Sequence, residues 1–287
     1  MSQFLGLILV LSFALVSCDS NSKKTIDIPK GCKSSADMNT ASIIGGQRIY
    51  PGDENSKAAL LIISTTQDAE GNLNKQICTA TPISDRVLIT AAHCVEDTIA
   101  VIAYFNTDIT CENGFNIDQG VTAENYSIHP KYNTDRIHSA NPDLALVLLE
   151  ERIYSGYPIY PIYNQKVVST TDFNSDLYLY GYGVIKYEND NVVQKSSAGI
   201  LRHAIVDFNK LSIEENSIKI RNNGKQGICS GDSGGSGLVL VNGQYQILAI
   251  NSYGSGSSSD RCAEEGSLIL VEPYLEWLKN VKHQWGQ

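Results

Sequence analysis

Basic charge is scarce in this sequence: 22 Lys and Arg stand against 31 Asp and Glu, a formal net charge of -9 over 287 residues. No run of Lys and Arg offers a local exception, which argues against a nucleic-acid surface. Cys-x-x-Cys and paired Cys/His spacings are missing, so nothing points to a structural metal. Internal repeats and long heptad patterns are missing too, which sets aside solenoids and coiled coils. No apolar run reaches the roughly 20 residues of a membrane span. What is present is 42% hydrophobic and 18% charged residues, the balance of a compact globular protein rather than a disordered one. The length suits one large β domain or two smaller ones.

The N-terminus reads as a targeting segment. Phe4 to Val16 is nearly continuous apolar sequence, too short for a comfortable span and followed by small residues. Leu15-Val16-Ser17-Cys18 resembles a bacterial lipobox, in which Cys18 is lipidated and becomes the mature N-terminus. The competing reading is an ordinary cleaved secretory signal with an accidental cysteine, and the basic n-region expected before a lipobox is missing from residues 1–5. Both readings export the chain. Residues 1–17 are thus a signal peptide. Residues 18–42, polar and without apolar periodicity, form a lipidated tether and propeptide.

Beyond Ser42, short apolar runs recur between turn residues. They are Ala58–Ser64, Val87–Ala91, Ile99–Phe105, Leu144–Leu149, Leu177–Tyr180, Gly199–Val206, Gly237–Val241, Gln246–Asn251 and Ser267–Val271. Rich in Val, Ile, Leu and Tyr and bounded by Gly, Asn, Asp or Pro, they predict an all-β chain of many short strands. A helix of useful length is expected only near Tyr274–Gln284.

The chemistry is concentrated in Gly231-Asp232-Ser233-Gly234-Gly235. The flanking glycines free the backbone to turn and leave little bulk around the Ser233 hydroxyl. Neighbouring N–H groups, those of Gly231 and Ser233, can then face an oxygen that becomes negative. The same residues also suit an ordinary turn. A serine nucleophile needs a base, and histidine held by a buried carboxylate is the usual one. Thr90-Ala91-Ala92-His93-Cys94 and Asp143-Leu144-Ala145-Leu146 supply both upstream. His138, His203 and His283 lack such context. Asp108 and Asp172 do not precede a buried apolar run as Asp143 does, and are expected in solvated loops.

The order His, Asp, Ser with these flanking residues resembles the trypsin/chymotrypsin family of serine endopeptidases, from about Ile43 to Trp277. Ile43-Ile44-Gly45-Gly46 is similar to the family's N-terminus after activation, and Gly181-Tyr182-Gly183 to its Gly-Trp-Gly. Ser252-Tyr253-Gly254 is similar to the strand that pairs with substrate, and His129-Pro130-Lys131-Tyr132 to a structural turn. Gly266, Val271, Tyr274 and Trp277 follow its closing pattern. The resemblance implies two packed antiparallel six-stranded β-barrels, about 43–155 and 156–272, with a C-terminal helix at about 274–284, all within a protease domain of 43–287. It implies Ser233 as nucleophile, His93 as general base and Asp143 as its orienting carboxylate, with Gly231 and Ser233 as oxyanion donors.

It also implies disulfides Cys78–Cys94 and Cys229–Cys262, which leaves Cys32 and Cys111 to each other once Cys18 is set aside. Bridges of this kind require an oxidising compartment. A further family disulfide is missing, because no cysteine lies between Gly183 and Cys229. Asp232 would pair with the α-amine of Ile43 freed by cleavage. Ser42, rather than Arg or Lys, precedes Ile43, so a protease of different specificity or stepwise trimming is needed.

The primary pocket would be formed by Gly227 at its base, Ile228 beside it, Ser252, Tyr253 and Gly254 along one side and Gly266 opposite. It would be uncharged and open, favouring apolar or aromatic side chains, with Ser255-Gly256-Ser257-Ser258-Ser259 as its mobile rim. Glu264 and Glu265 are the carboxylates near enough to alter that preference. No cofactor or metal is expected, and no acidic cluster follows His93 to hold calcium. The expected chain is a monomer acting on polypeptide substrates. It meets an activating protease, no nucleic acid, and a membrane only through a lipid anchor. The alternative is a catalytically silent homologue that binds proteins.

Overall fold

The computed structural model describes Ile43 and most of the chain from Gly46 to Gln287. Residues 1–42, 44–45, 54, 110–119, 135–140, 154–155, 168, 171–172, 174, 185–186, 189–190, 193–197, 222–226 and 258–259 lie outside the description. Cys18, Cys32, Cys111, His138 and Asp172 fall among these, as does Ser42.

Among the described residues, sixteen strands follow in chain order. β1 is Gln47–Arg48, β2 Leu60–Gln67, β3 Leu73–Pro82, β4 Val87–Thr90 and β5 Thr98–Tyr104. β6 is Val121–Ile128, β7 Ala145–Leu149, β8 Leu177–Gly181, β9 Tyr187–Glu188 and β10 Asn191–Val192. β11 is Arg202–Val206, β12 Leu211–Glu214, β13 Ser217–Arg221, β14 Ser236–Val241, β15 Gln244–Ser257 and β16 Asp260–Leu270. A single α-helix among the described residues, α1 (Leu275–Gln284), closes the chain. Its buried residues Leu278 and Val281 stand three apart, so one stripe packs inward.

Six strands close into a barrel in the order β2-β3-β4-β7-β6-β5. Its inner residues, among them Leu60, Ile62, Ala80, Leu88, Val101 and Val147, form one buried cluster. The second half differs from the expected six-stranded barrel. It is an eight-stranded sheet, β1-β11-β8-β14-β15-β16-β13-β12, for which no closure is seen among the described strands. Its outer strands are β12 at one end and β1 at the other, where β1 pairs with β11, Gln47 opposite His203 and Arg48 opposite Arg202. Residues 47–48, expected in the first barrel, therefore belong to the second sheet.

The two halves share a core. Leu61, Ile63 and Leu146 from the barrel pack with Leu238, Ile250 and Val271 from the sheet and Leu278 from α1. A second cluster fills the far side of the sheet and includes Ile43, which is 0% exposed. Burial of this apolar surface is the main favourable term in folding. Polar bonds then fix the register of the halves. The Thr79 N–H donates to the Ser233 carbonyl at 2.8 Å, and its hydroxyl donates to the Gly231 carbonyl at 2.9 Å.

Candidate active site

His93 lies on a short 3-10 turn, Ala92–Cys94, directly after β4. Asp143 sits just ahead of β7, where Asp143 and Leu144 N–H groups donate to Asn141 and Pro142 carbonyls. The carboxylate meets three donors. His93 Nδ1 lies 2.8 Å from Oδ2, the His93 N–H donates to Oδ1 at 3.0 Å, and the Ser252 hydroxyl donates to Oδ2 at 2.6 Å. Burial pushes the Asp143 pKa up, but the His93 charge and these hydrogen bonds outweigh it and hold it below the usual carboxylate value. Burial likewise opposes charge on His93. The hydrogen bond and charge of Asp143, with Glu96 behind them, nevertheless raise its pKa above 6.5.

Ser233 lies in the loop between β13 and β14 and lines the same cleft as His93, Asp143, Ser252, Tyr253 and Gly254, a space of about 470 Å³. Its hydroxyl donates to the Ser252 carbonyl at 3.1 Å. The preceding Gly231 has φ +97°, a left-handed conformation that favours glycine. Among the described residues, neither the Gly231 nor the Ser233 N–H has an acceptor. Two unsatisfied donors beside a hydroxyl are what an oxygen acquiring charge would need.

Asp232 is 0% exposed and accepts from Gly183 N–H at 2.8 Å and Cys229 N–H at 2.9 Å. Burial drives its pKa up to about 7, against those bonds and the charge of Arg202. The glycines of Gly181-Tyr182-Gly183 have a direct reason here, since a Cβ on either would overlap the Asp232 carboxylate. Tyr182 is buried between them and donates through its hydroxyl to the Asn106 carbonyl at 3.0 Å.

Both expected disulfides that fall within the described residues are formed, Cys78–Cys94 and Cys229–Cys262. Cys78, His93 and Cys94 lie close enough to suggest a metal cluster, but the two sulfurs are joined to each other and offer no thiolate.

The pocket differs from its expected form. Ser252, Tyr253 and Gly254 line the cleft. Ile228 is buried in the second core. Its Cγ1 would stand 2.9 Å from a Cβ on Gly266, and its carbonyl 2.9 Å from one on Gly254. The space expected between the two glycines is therefore filled by an isoleucine. Ser255 and Ser257 pair with Glu265 and Asp260, so this stretch continues the β15–β16 hairpin. Glu265 is engaged by Lys219 at 3.4 Å, and Lys219 Nζ also donates to the Tyr253 hydroxyl at 2.7 Å.

Asp108 corrects another expectation. It is 1% exposed and paired with Arg48 at 2.5 Å, a buried ion and not a solvated loop residue. His129 is buried, with edge contacts to Tyr274 and Trp277, as a structural turn requires. His203 stacks on Tyr180. Sequence reasoning missed Thr79, the Ser252–Asp143 bond, and the Glu96–Tyr132 contact (3.4 Å) in the cleft wall. Only the short distance from Cys78 pointed to Thr79.

The trypsin family model matches residues 43–278. The chain belongs to the trypsin family. As a trypsin-family member it is 24% identical to human chymotrypsin-like elastase family member 1 over 242 residues, 82% of this chain and 92% of that protein. Chymotrypsin-C of Bos taurus is 23% identical over 251 residues, with 83% and 88% covered. Among solved structures, HL collagenase has a TM-score of 0.60 at 20% identity and covers 85% of this chain and 99% of its own, a likeness of fold. Membership implies peptide hydrolysis. The fold is the mostly β chymotrypsin-like one, with one closed six-stranded barrel and a short C-terminal helix.

Proposed function

We propose that this trypsin-family chain is an exported serine endopeptidase that works through an acyl-enzyme on Ser233. The observation that carries the reading is the His93 Nδ1–Asp143 Oδ2 contact of 2.8 Å in the cleft that Ser233 lines. The Ser233 hydroxyl leaves the Ser252 carbonyl and gives its proton to His93 Nε2 as Oγ bonds the scissile carbonyl carbon. The carbonyl oxygen becomes negative facing the Gly231 and Ser233 N–H groups. His93 then returns the proton to the amine nitrogen as the C–N bond breaks, and water repeats the sequence on the ester. Asp143 holds the imidazole in one tautomer and stabilises its charged form.

Ser233→Ala is expected to lower kcat by a factor on the order of 10⁴–10⁶ with little change in Tm. Comparable turnover by the alanine variant would remove Ser233 from the mechanism.

The primary pocket is uncharged and, with Ile228 filling the space between Gly254 and Gly266, shallow. Small aliphatic side chains before the scissile bond should be cleaved best, aromatic ones less well, and Lys or Arg worst, since a buried cation finds no partner there. A panel of peptide amides varying only that residue decides it, and a preference for Arg would refute it.

The remaining assignments rest on sequence. Residues 1–17 direct export, Cys18 carries lipid, Cys32 pairs with Cys111, and cleavage before Ile43 frees an α-amine that pairs with Asp232. The two formed disulfides support an oxidising destination. Asp232→Asn should leave a folded but nearly inactive protein even after that cleavage. Intact-mass measurement of active material tests the zymogen step, which full activity with the Ser42–Ile43 bond unbroken would contradict.

A further inference from the structure

The two walls of the cleft differ in charge. Cys229, Ser230 and Cys262 come from the second half, where the primary side chain would enter, and are neutral. The barrel supplies the other wall, which holds His93, Glu96, Tyr132 and Asp143. Among the described residues that line the cleft, Glu96 and Asp143 are carboxylates and none is Lys or Arg. Asp143 serves His93 and Ser252. Glu96 has no task in the mechanism above.

Its position is set by the turn that carries the base. Glu96 follows His93 by three residues, and its N–H donates to the Ala92 carbonyl at 3.0 Å. The side chain is half-buried and accepts one long hydrogen bond, from the Tyr132 hydroxyl at 3.4 Å. An ionised carboxylate has about four acceptor sites, so most of its capacity is unused. Among the described residues no Lys or Arg forms an ion pair with it. Burial raises the Glu96 pKa, with the charges of Asp97 and Asp143 adding to it, against the Tyr132 hydrogen bond and the His93 charge. A cation brought by a substrate would relieve that repulsion and meet an acceptor in the cleft wall.

We propose that Glu96 is a specificity-determining residue that selects substrates with Lys or Arg immediately upstream of the residue at which the chain is cut. The direction follows from strand geometry. A substrate held in extended form along Ser252–Gly254 turns successive side chains to opposite sides. With the side chain at the scissile bond directed toward Cys229 and Cys262, the one before it is directed toward the turn of His93, where Glu96 and Tyr132 stand. Tyr132 adds an aromatic ring beside the carboxylate, a second group suited to a guanidinium or ammonium. The enzyme then refuses a cation in its primary pocket and prefers one next to it. Its substrate class is a basic residue followed by a small aliphatic one. This deepens the peptidase reading and rests on it.

The test gives the active protein three peptide amides with one small aliphatic residue at the scissile bond and Arg, Gln or Glu before it. The Arg peptide is expected to show kcat/KM about tenfold above the Gln peptide, with the Glu peptide lower still. The gain should lie mainly in KM and should weaken as salt is raised to about 1 M. Glu96→Gln should bring the Arg and Gln peptides within about twofold of each other, and Glu96→Lys should turn the preference toward Glu. Ratios are taken within each variant, so a general loss from a weakened fold or a shifted His93 titration cancels. Should a variant fail to fold, the salt series on the unaltered protein decides, and an Arg preference that salt leaves untouched would overturn the proposal. Equal cleavage of the Arg and Gln peptides by the unaltered protein, or an undiminished Arg preference after Glu96→Gln, would overturn it as well. Cleavage of none of the three would instead bring down the peptidase reading, and this proposal with it.

Discussion

His93 answers to two carboxylates, and its titration is where the site can be read in solution. Burial favours the neutral ring, while the hydrogen bond and charge of Asp143 and the charge of Glu96 favour the cation and prevail. In the proposed mechanism the base form is the working one, so activity is expected to be lost as pH falls through the raised pKa. Glu96→Gln removes one of the two carboxylates and should move this acidic limb of kcat/KM to lower pH. An unmoved or upward-moving limb would mean that Glu96 does not reach the imidazole. The linked stability runs the other way: a cation whose pKa is raised by the fold contributes fully below its unfolded value and is lost as pH climbs through the folded one. At this scale the nucleophile loop and the histidine motif were legible because each is a contiguous run of unusual residues. Thr79 was not, since its importance comes from partners far along the chain, with Thr79 and Gly231 separated by 152 positions.

Strands with continuous apolar sequence were read within a few residues. Those that bury small or polar residues were not. β3 hides Cys78, Thr79, Ala80, Thr81 and Pro82 after an exposed half that contains Asn74, Lys75 and Gln76, so it never forms an apolar run. β6 is half-exposed, and the short alternation of β13 (Ser-Ile-Lys-Ile-Arg) spans only five residues. The β8 strand shows what such elements hold in place. Gly181→Ala drives a methyl group into the Asp232 carboxylate and should cost about 1–3 kcal/mol or more, with activity falling further than stability. Denaturant melts read beside turnover check this, and an unchanged variant would mean that Asp232 has room to move. The Cys229–Cys262 bridge ties the nucleophile loop to β16 across 33 residues. Replacing both cysteines with serine should lower stability by about 2–5 kcal/mol, read as a shifted midpoint at constant slope.

At the scale of the whole molecule, the mostly β class and the terminal helix were legible from strand spacing and turn residues. The shape of the second half was not. Whether strands close depends on the partner that each edge finds, and β1 finds β11 through a pairing that no local pattern records. Ile228, which follows the glycine at the expected base of the pocket, is buried in the second core. His93 and Asp143 come from the barrel and Ser233 from the sheet, so the proposed site would exist only when both halves are folded and docked. A fluorophosphonate probe reports on that assembled state directly. The account predicts a single phosphonylated residue in the mature folded chain, mapped by peptide mass to Ser233, with labelling abolished in Ser233→Ala, strongly slowed in His93→Ala and lost on unfolding. Labelling spread over several serines, or none in a folded chain carrying Ile43 as its first residue, would contradict it.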